Sequence, residues 1–134
     1  MITLRIYCII LFLCSSVCIF ANDNNGLEFT DTICDLGYLT VDGGNRIGYF
    51  ECINRSNSSI SIVGALSTCG CTVPTYPKSP IEPGQKGVIT VSYDPAGRPI
   101  GEFEKILTII TTGSPREIKL YLRGETISIH STTY

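Results

Sequence analysis

The chain has 134 residues, of which 43% are hydrophobic and 16% are charged, and its formal net charge is -2. This length suits one domain and is short for two, and the hydrophobic content excludes a disordered chain. A near-neutral balance without clustered Lys or Arg gives no electrostatic case for nucleic acid or an anionic membrane surface as a partner.

The first 21 residues have the pattern of a secretory signal peptide. Arg5 precedes an apolar run from Ile6 to Phe20, and Ala21 is a small residue before the polar lead 22–26. We therefore expect cleavage near Ala21 and an exported chain that is periplasmic, secreted or on the cell surface.

Two other fates of this segment stay open. An uncleaved anchor is disfavoured because the apolar run is shorter than the ~20 residues that span a bilayer. A lipid anchor at Cys14 or Cys18 is disfavoured because neither cysteine follows the small residues that lipid attachment favours. We expect no membrane span in the mature chain.

The rest of the chain predicts β-structure throughout. Runs rich in Ile, Val, Thr, Tyr and Phe recur about every ten residues between Gly, Pro, Asn and Asp, which is typical of a sandwich or a barrel. We expect one domain over 27–125 and a C-terminal tail over 126–134. The predicted strands are Leu27–Ile33, Tyr38–Val41, Arg46–Ile53, Ser59–Leu66, Gly87–Tyr93, Glu102–Thr112 and Arg116–Glu125.

Three connections and extensions are also predicted. The stretch from Asp42 to Asn45 contains two glycines and favours a tight hairpin. The segment from Pro74 to Pro83 holds four of the seven prolines, so we expect a loop or an edge crossing there and no interior strand. In the tail, the segment Thr126–His130 is expected to add an edge strand.

Alternation along the strands predicts which side chains face the core. Ile89, Val91 and Tyr93 share one face of their strand. Cys52 is in phase with Phe50, and Cys34 is in phase with Leu36. We therefore expect both thiols to be buried.

Several motifs together resemble the bacterial family called domain of unknown function 1573, over about 27–125. The residues that carry the resemblance are Cys69-Gly70-Cys71-Thr72, Pro83-Gly84-Gln85, Tyr93-Asp94, Gly101-Glu102-Phe103 and Leu122-Arg123-Gly124. The resemblance implies an all-β, immunoglobulin-like Greek-key β-sandwich of about seven strands, related to hydin-type and major-sperm-protein-type domains. It also implies export in envelope-rich bacteria, with no established activity. Nothing in the family pattern carries over to Cys34 or Cys52.

The pair Cys69 and Cys71 is the one constellation with chemical potential. On an extended strand their Cβ atoms would lie about 6.6 Å apart, whereas a disulfide needs ~3.5–4.5 Å. A bond between them therefore requires a kink at Gly70, which could give a labile, redox-active ring. Two thiols on one face could instead chelate a soft metal, or both could be structural. His130 is the only histidine, so ligands are few and no metal site is predicted.

The remaining candidates are structural. Cys34 and Cys52 are expected to be inert or to form a structural disulfide, with each other or with the other cysteine pair. The Pro83-Gly84 turn precedes a strand, so it cannot offer helix amides to a phosphate. Asn54-Arg55-Ser56 matches a glycosylation acceptor but is interpreted as a polar turn.

Composition and motifs favour an exported, non-catalytic module that binds another envelope protein through a sheet edge or loops, or has a structural role. With one histidine and no placed Ser/His/Asp set, we expect no enzyme and no cofactor. The alternative is a thiol-redox or soft-metal-handling protein that uses Cys69 and Cys71. The sequence predicts neither the partner nor the oligomeric state.

Overall fold

The structure is a computed structural model that describes residues 25–129. The predicted signal peptide and His130 lie outside the described residues. Within residues 25–129, no helix is long and apolar enough to cross a membrane.

Eight strands form two four-stranded sheets. They are β1 Leu27–Phe29, β2 Ile33–Thr40, β3 Arg46–Asn54, β4 Ile62–Ser67, β5 Thr72–Thr75, β6 Lys86–Tyr93, β7 Gly101–Thr111 and β8 Glu117–Ile127. Sheet A has the order β1-β3-β6-β5, and sheet B has the order β2-β8-β7-β4. All pairs are antiparallel except β2 and β8, which run parallel. The expectation of an all-β, immunoglobulin-like sandwich is confirmed.

The core lies between the two sheets and follows the predicted alternation. Ile89, Val91 and Tyr93 of β6 are almost fully buried, as are Leu120 and Leu122 of β8. A buried leucine or isoleucine contributes about 1.5–3 kcal/mol relative to an exposed one. The inward side chains of both sheets therefore hold the sandwich together.

Two predictions in the first third of the domain are wrong. The strand expected over Leu27–Ile33 ends at Phe29, and the chain then crosses to sheet B, where β2 begins. The turn around Gly43 is not a hairpin, because it links β2 of sheet B to β3 of sheet A. Its local geometry is as expected, since Gly43 N donates to Thr40 O at 3.0 Å and Gly44 has φ of 74°. Turn residues determine the turn and not the sheet that follows it.

The proline-rich segment begins with a strand that the sequence analysis did not predict. β5 pairs with β6 at the edge of sheet A and contains Pro74. Asp94 N donates to Cys71 O at 2.9 Å, so along this register the backbone nitrogens of Thr72 and Pro74 point away from β6. Proline fits there because that side of an edge strand needs no donor.

The edge strand β4 contains a bulge. Its register against β7 shifts between Ile62 and Gly64, so Val63 is the additional residue. Ile62 and Ala65 both face inward although they are three residues apart, which simple alternation does not predict.

At the other end of the sheet, the expectation of an added edge at Thr126–His130 is wrong for the described part. Thr126 and Ile127 belong to β8, which lies between β7 and β2.

Candidate functional site

Cys69 and Cys71 form a disulfide in the turn that carries the chain from sheet B to sheet A. Their Cα atoms are 5.2 Å apart, and Thr72 N donates to Cys69 O at 3.1 Å, which closes a four-residue turn. Cys71 is buried and Cys69 is half-buried against the core. Both sulfurs are bonded to each other, so in this state neither is a thiolate that could ligate a metal.

Gly70 is not the conformational exception that the sequence suggested. Its φ lies outside the positive region, and a Cβ built on it would meet no atom within 4 Å. The turn that joins the two sulfurs therefore does not require glycine at position 70. Thr68 supports the turn, since its N donates to Ile106 O at 3.2 Å.

Cys34 and Cys52 are free thiols on opposite sheets; Cys52 is buried as expected, whereas the expectation of burial is wrong for Cys34, which is only partly buried. Cys34 lies on β2 and packs over Gly48, where a Cβ would come within 2.9 Å of its sulfur. Gly48 is four residues from Cys52 along β3, which is about 13 Å of extended chain. Because the Cys34 sulfur lies at Gly48, it is out of reach of Cys52, and the two do not pair.

Burial suppresses the chemistry of Cys52. Its side chain is 2% exposed, and its sulfur donates to Gly87 O at 3.5 Å. Burial raises the pKa of the Cys52 thiol, and the hydrogen bond with Gly87 only partly offsets this rise. The nucleophilic thiolate is therefore disfavoured.

The Pro83-Gly84 step forms the predicted turn. Gln85 N donates to Glu82 O at 2.9 Å, and Gly84 has φ of 77°, which a glycine adopts readily. Gly84 N also donates to Asn54 O at 2.8 Å, so the turn lies against the end of β3.

The structural role of Asn54 is not evident from the sequence motif. This buried amide donates to Ile81 O at 2.7 Å and to Ser58 O at 2.8 Å, and it accepts from Ser56 N at 2.9 Å. Its position at the end of a strand, before three serines in four residues, is a signal for such a network. The interpretation of this motif as a polar turn fits the geometry.

The outer surface of sheet A carries a largely apolar patch, which we call the apolar face and which Glu51 borders opposite Val88. By alternation and register, its side chains lie on three adjacent strands, β3, β6 and β5. Tyr49 is 62% exposed and lies beside Thr90, and Ile47 and Val88 are also exposed. The apolar face consists of Ile47, Tyr49, Val73, Thr75, Val88, Thr90 and Ser92.

The outer surface of sheet B has the opposite character. A cleft of about 590 Å³ is lined by Asp35, Glu102, Glu104 and Glu125, with Arg123 as the one base among them. Arg123 Nε lies 3.3 Å from Asp35 Oδ2. Within residues 25–129, no group of three or more His, Cys, Asp and Glu is arranged to hold a metal ion. We call this surface the acidic face.

The fold is shared with several solved structures. A protein of unknown function from Porphyromonas gingivalis W83 aligns with a TM-score of 0.64 at 16% identity over 75% of this chain. The alignment spans 46% of that protein. The seventh PapD-like domain of human CEP192 has a TM-score of 0.62 at 9% identity, covering 79% of this chain and 88% of that domain. The Pseudomonas aeruginosa CupB2 chaperone has a TM-score of 0.53 at 15% identity, covering 74% of this chain and 55% of the chaperone.

At these identities the similarity establishes the fold alone. No curated protein matches the chain. One family model matches residues 27–126, which include the disulfide turn, the Pro83-Gly84 turn and every strand except the last residue of β8. The chain therefore belongs to the family described as protein of unknown function DUF1573.

Proposed function

We propose that the protein is an exported, non-catalytic interaction module, and that it binds another envelope protein through the apolar face. One observation carries this proposal. Three exposed hydrophobic residues, Ile47, Tyr49 and Val88, lie together on one flat surface. Contiguous exposed apolar patches on soluble domains mark interaction sites, and a Tyr at the centre is a typical anchor.

The chemistry of the surface limits the partner. Glu51, which is exposed and lies opposite Val88, borders the apolar face, whose only other ionisable group is the phenol of Tyr49, so ion pairs can contribute only at this border. The expected partner presents a mostly apolar surface. The acidic face lies on the other sheet and would remain in solvent.

The export part of the proposal rests on the N-terminal pattern. Protein recovered from the envelope fraction should have the intact mass of a chain that begins at Asn22. A chain that keeps Met1 and is found only in the cytoplasm would contradict export.

Site-specific photo-crosslinking in the expressing cell tests the binding surface. A benzophenone amino acid replaces Tyr49 on the apolar face or, as a matched control, Tyr38, which is 69% exposed beside the acidic face. We expect an adduct of one defined mass from position 49 and none from position 38. Equal labelling from both positions, or none from either, would contradict the proposal.

Thiol-disulfide exchange at Cys69 and Cys71 is a second candidate. The observation that favours it is the bond between two cysteines of one surface turn, with Cys69 half-buried. A dithiol reductant would be oxidised to its disulfide while Cys69 and Cys71 take up two electrons and two protons. Equilibration of the protein with dithiothreitol buffers tests this role. A bond that stays oxidised below about -300 mV indicates a structural disulfide.

A further inference from the structure

The strand β4 is an open edge of sheet B. It pairs only with β7, and the preceding Ile60 forms an isolated bridge with Ile81. From Ile62 to Ser67 no strand is hydrogen-bonded to the other side of β4. Val63 is 54% exposed and Leu66 is 60% exposed at this edge.

The hydrogen-bonding pattern shows which backbone groups this edge presents. Thr68 N donates to Ile106 O, and along the same register Leu66 is opposite Thr108. Bonded and non-bonded positions alternate in an antiparallel ladder. Leu66 therefore directs its backbone groups to β7, whereas Ala65 and Ser67 direct theirs to the open side. The backbone N–H and C=O groups of Ala65 and Ser67 can therefore form hydrogen bonds with an added strand.

The other three edges are protected against strand addition. β1 is only three residues long. β2 has an irregular register between Asp35 and Tyr38, and Asp35 Oδ1 accepts from Gly37 N at 2.9 Å. β5 contains Pro74, whose nitrogen faces the open side. Short strands, bulges, charges and prolines are the devices that block edge pairing, and among residues 62–67 only the bulge at Val63 is present.

The charge distribution selects the partner. No Asp, Glu, Lys or Arg lies between Arg55 and Lys78, a stretch that includes β4. A two-fold axis places a strand opposite its own copy, so any charged residue near the axis would face a like charge. An uncharged edge avoids this repulsion. It also lacks the charge pairs through which a surface selects a different protein.

We propose that two copies of the protein pair through β4 in an antiparallel arrangement, with the two-fold axis at Leu66. Ala65 then lies opposite the partner's Ser67, and these two pairs form four N–H···O hydrogen bonds. Leu66 lies opposite the partner's Leu66 in a close, non-hydrogen-bonded pair, with Cα atoms ~4.5 Å apart. The two B sheets become one sheet of eight strands, and the apolar faces on the A sheets remain free.

Disulfide trapping tests the predicted register. Leu66→Cys should form a covalent dimer under mild oxidation, because the two thiols meet on the axis. Val73→Cys is the matched control, since Val73 is 58% exposed on the neighbouring edge β5. We expect a dimer from the first variant and monomer from the second. Equal dimer yields from both variants would overturn the register.

Sedimentation equilibrium of the wild-type protein tests the association itself. The interface is small, so we expect a dimer only at high micromolar concentration. Leu66→Lys places like charges on the axis and should weaken dimerisation at least about tenfold while the domain stays folded, because this side chain points to solvent. A wild-type protein that is monomeric at 1 mM, or a dimer that Leu66→Lys leaves intact, would overturn the proposal.

Discussion

At the residue scale, the amide of Asn54 shows how one buried side chain fixes two turns. It binds the carbonyls of Ser58 and Ile81 and the backbone and hydroxyl of Ser56. A buried polar group left without its hydrogen-bond partner costs about 1–3 kcal/mol. The stability of this end of the sandwich therefore depends on a residue that composition alone would assign to the surface.

We expect Asn54→Ala to lower the free energy of unfolding by about 1–3 kcal/mol, since Ser56 N loses its acceptor and the carbonyls of Ile81 and Ser58 each lose one of two donors. Urea denaturation measures the change. Asn57→Ala is the control, because Asn57 is exposed, and it should stay within about 0.5 kcal/mol of the wild type. A cost for Asn54→Ala as small as that of the control would show that the network adds no stability.

The two turn glycines make a second matched pair. Gly84 has φ of 77°, so Gly84→Ala should lower the free energy of unfolding by about 1–2 kcal/mol. Gly70 has neither a positive φ nor a close neighbour, so Gly70→Ala should leave stability unchanged or raise it by up to about 1 kcal/mol. Thermal unfolding of both variants measures these changes. A larger loss of stability in Gly70→Ala than in Gly84→Ala would contradict the prediction.

The thiol of Cys52 predicts a pH dependence. Burial raises its pKa in the folded state, so the unfolded chain loses this proton first as the pH rises. The stabilising contribution is complete below about pH 8.5 and is lost as the pH rises through the folded-state pKa. The unfolding free energy should therefore decline more steeply above pH 8.5 for the wild type than for Cys52→Ala. Parallel curves would contradict this prediction.

At the element scale, the strands with regular alternation could be predicted from the sequence and the irregular ones could not. β6 and β8 alternate cleanly, and their inward residues were identified. The bulge in β4 interrupts its alternation, and β5 contains a proline that argues against a strand. The turn after β2 does not determine which sheet the next strand joins. That choice depends on contacts with residues far along the chain.

The bulge at Val63 gives an element-scale prediction. Deletion of Val63 removes the additional residue, keeps Ile62 and Ala65 inward and should change the free energy of unfolding by less than about 1.5 kcal/mol. Deletion of Thr90 from the regular strand β6 is the control, because it turns half of that strand's core residues outward. Circular dichroism during urea unfolding should show that only the first variant folds. Loss of folding in both would mean that the bulge is required.

At the scale of the whole molecule, the two outer surfaces differ in the way that a one-sided binding module requires. Sheet A presents the apolar face, and sheet B presents carboxylates around Arg123. The Cys69–Cys71 turn, which the sequence made the leading candidate, lies at the side between them. Alternation along each strand predicts which side chains point outward. The clustering of Ile47, Tyr49 and Val88 depends on the pairing of the strands of sheet A, which the sequence pattern does not give.

The most direct measurement is the yield of the position-49 crosslink in the double variant Ile47→Lys and Val88→Lys, recorded together with its melting temperature. Both side chains point to solvent, so we predict an unchanged fold and loss of the adduct, because two charges would be desolvated at the interface. The same two lysines at Glu102 and Glu104 on the acidic face should leave the adduct intact. An undiminished adduct in a folded Ile47→Lys and Val88→Lys variant would contradict binding through the apolar face.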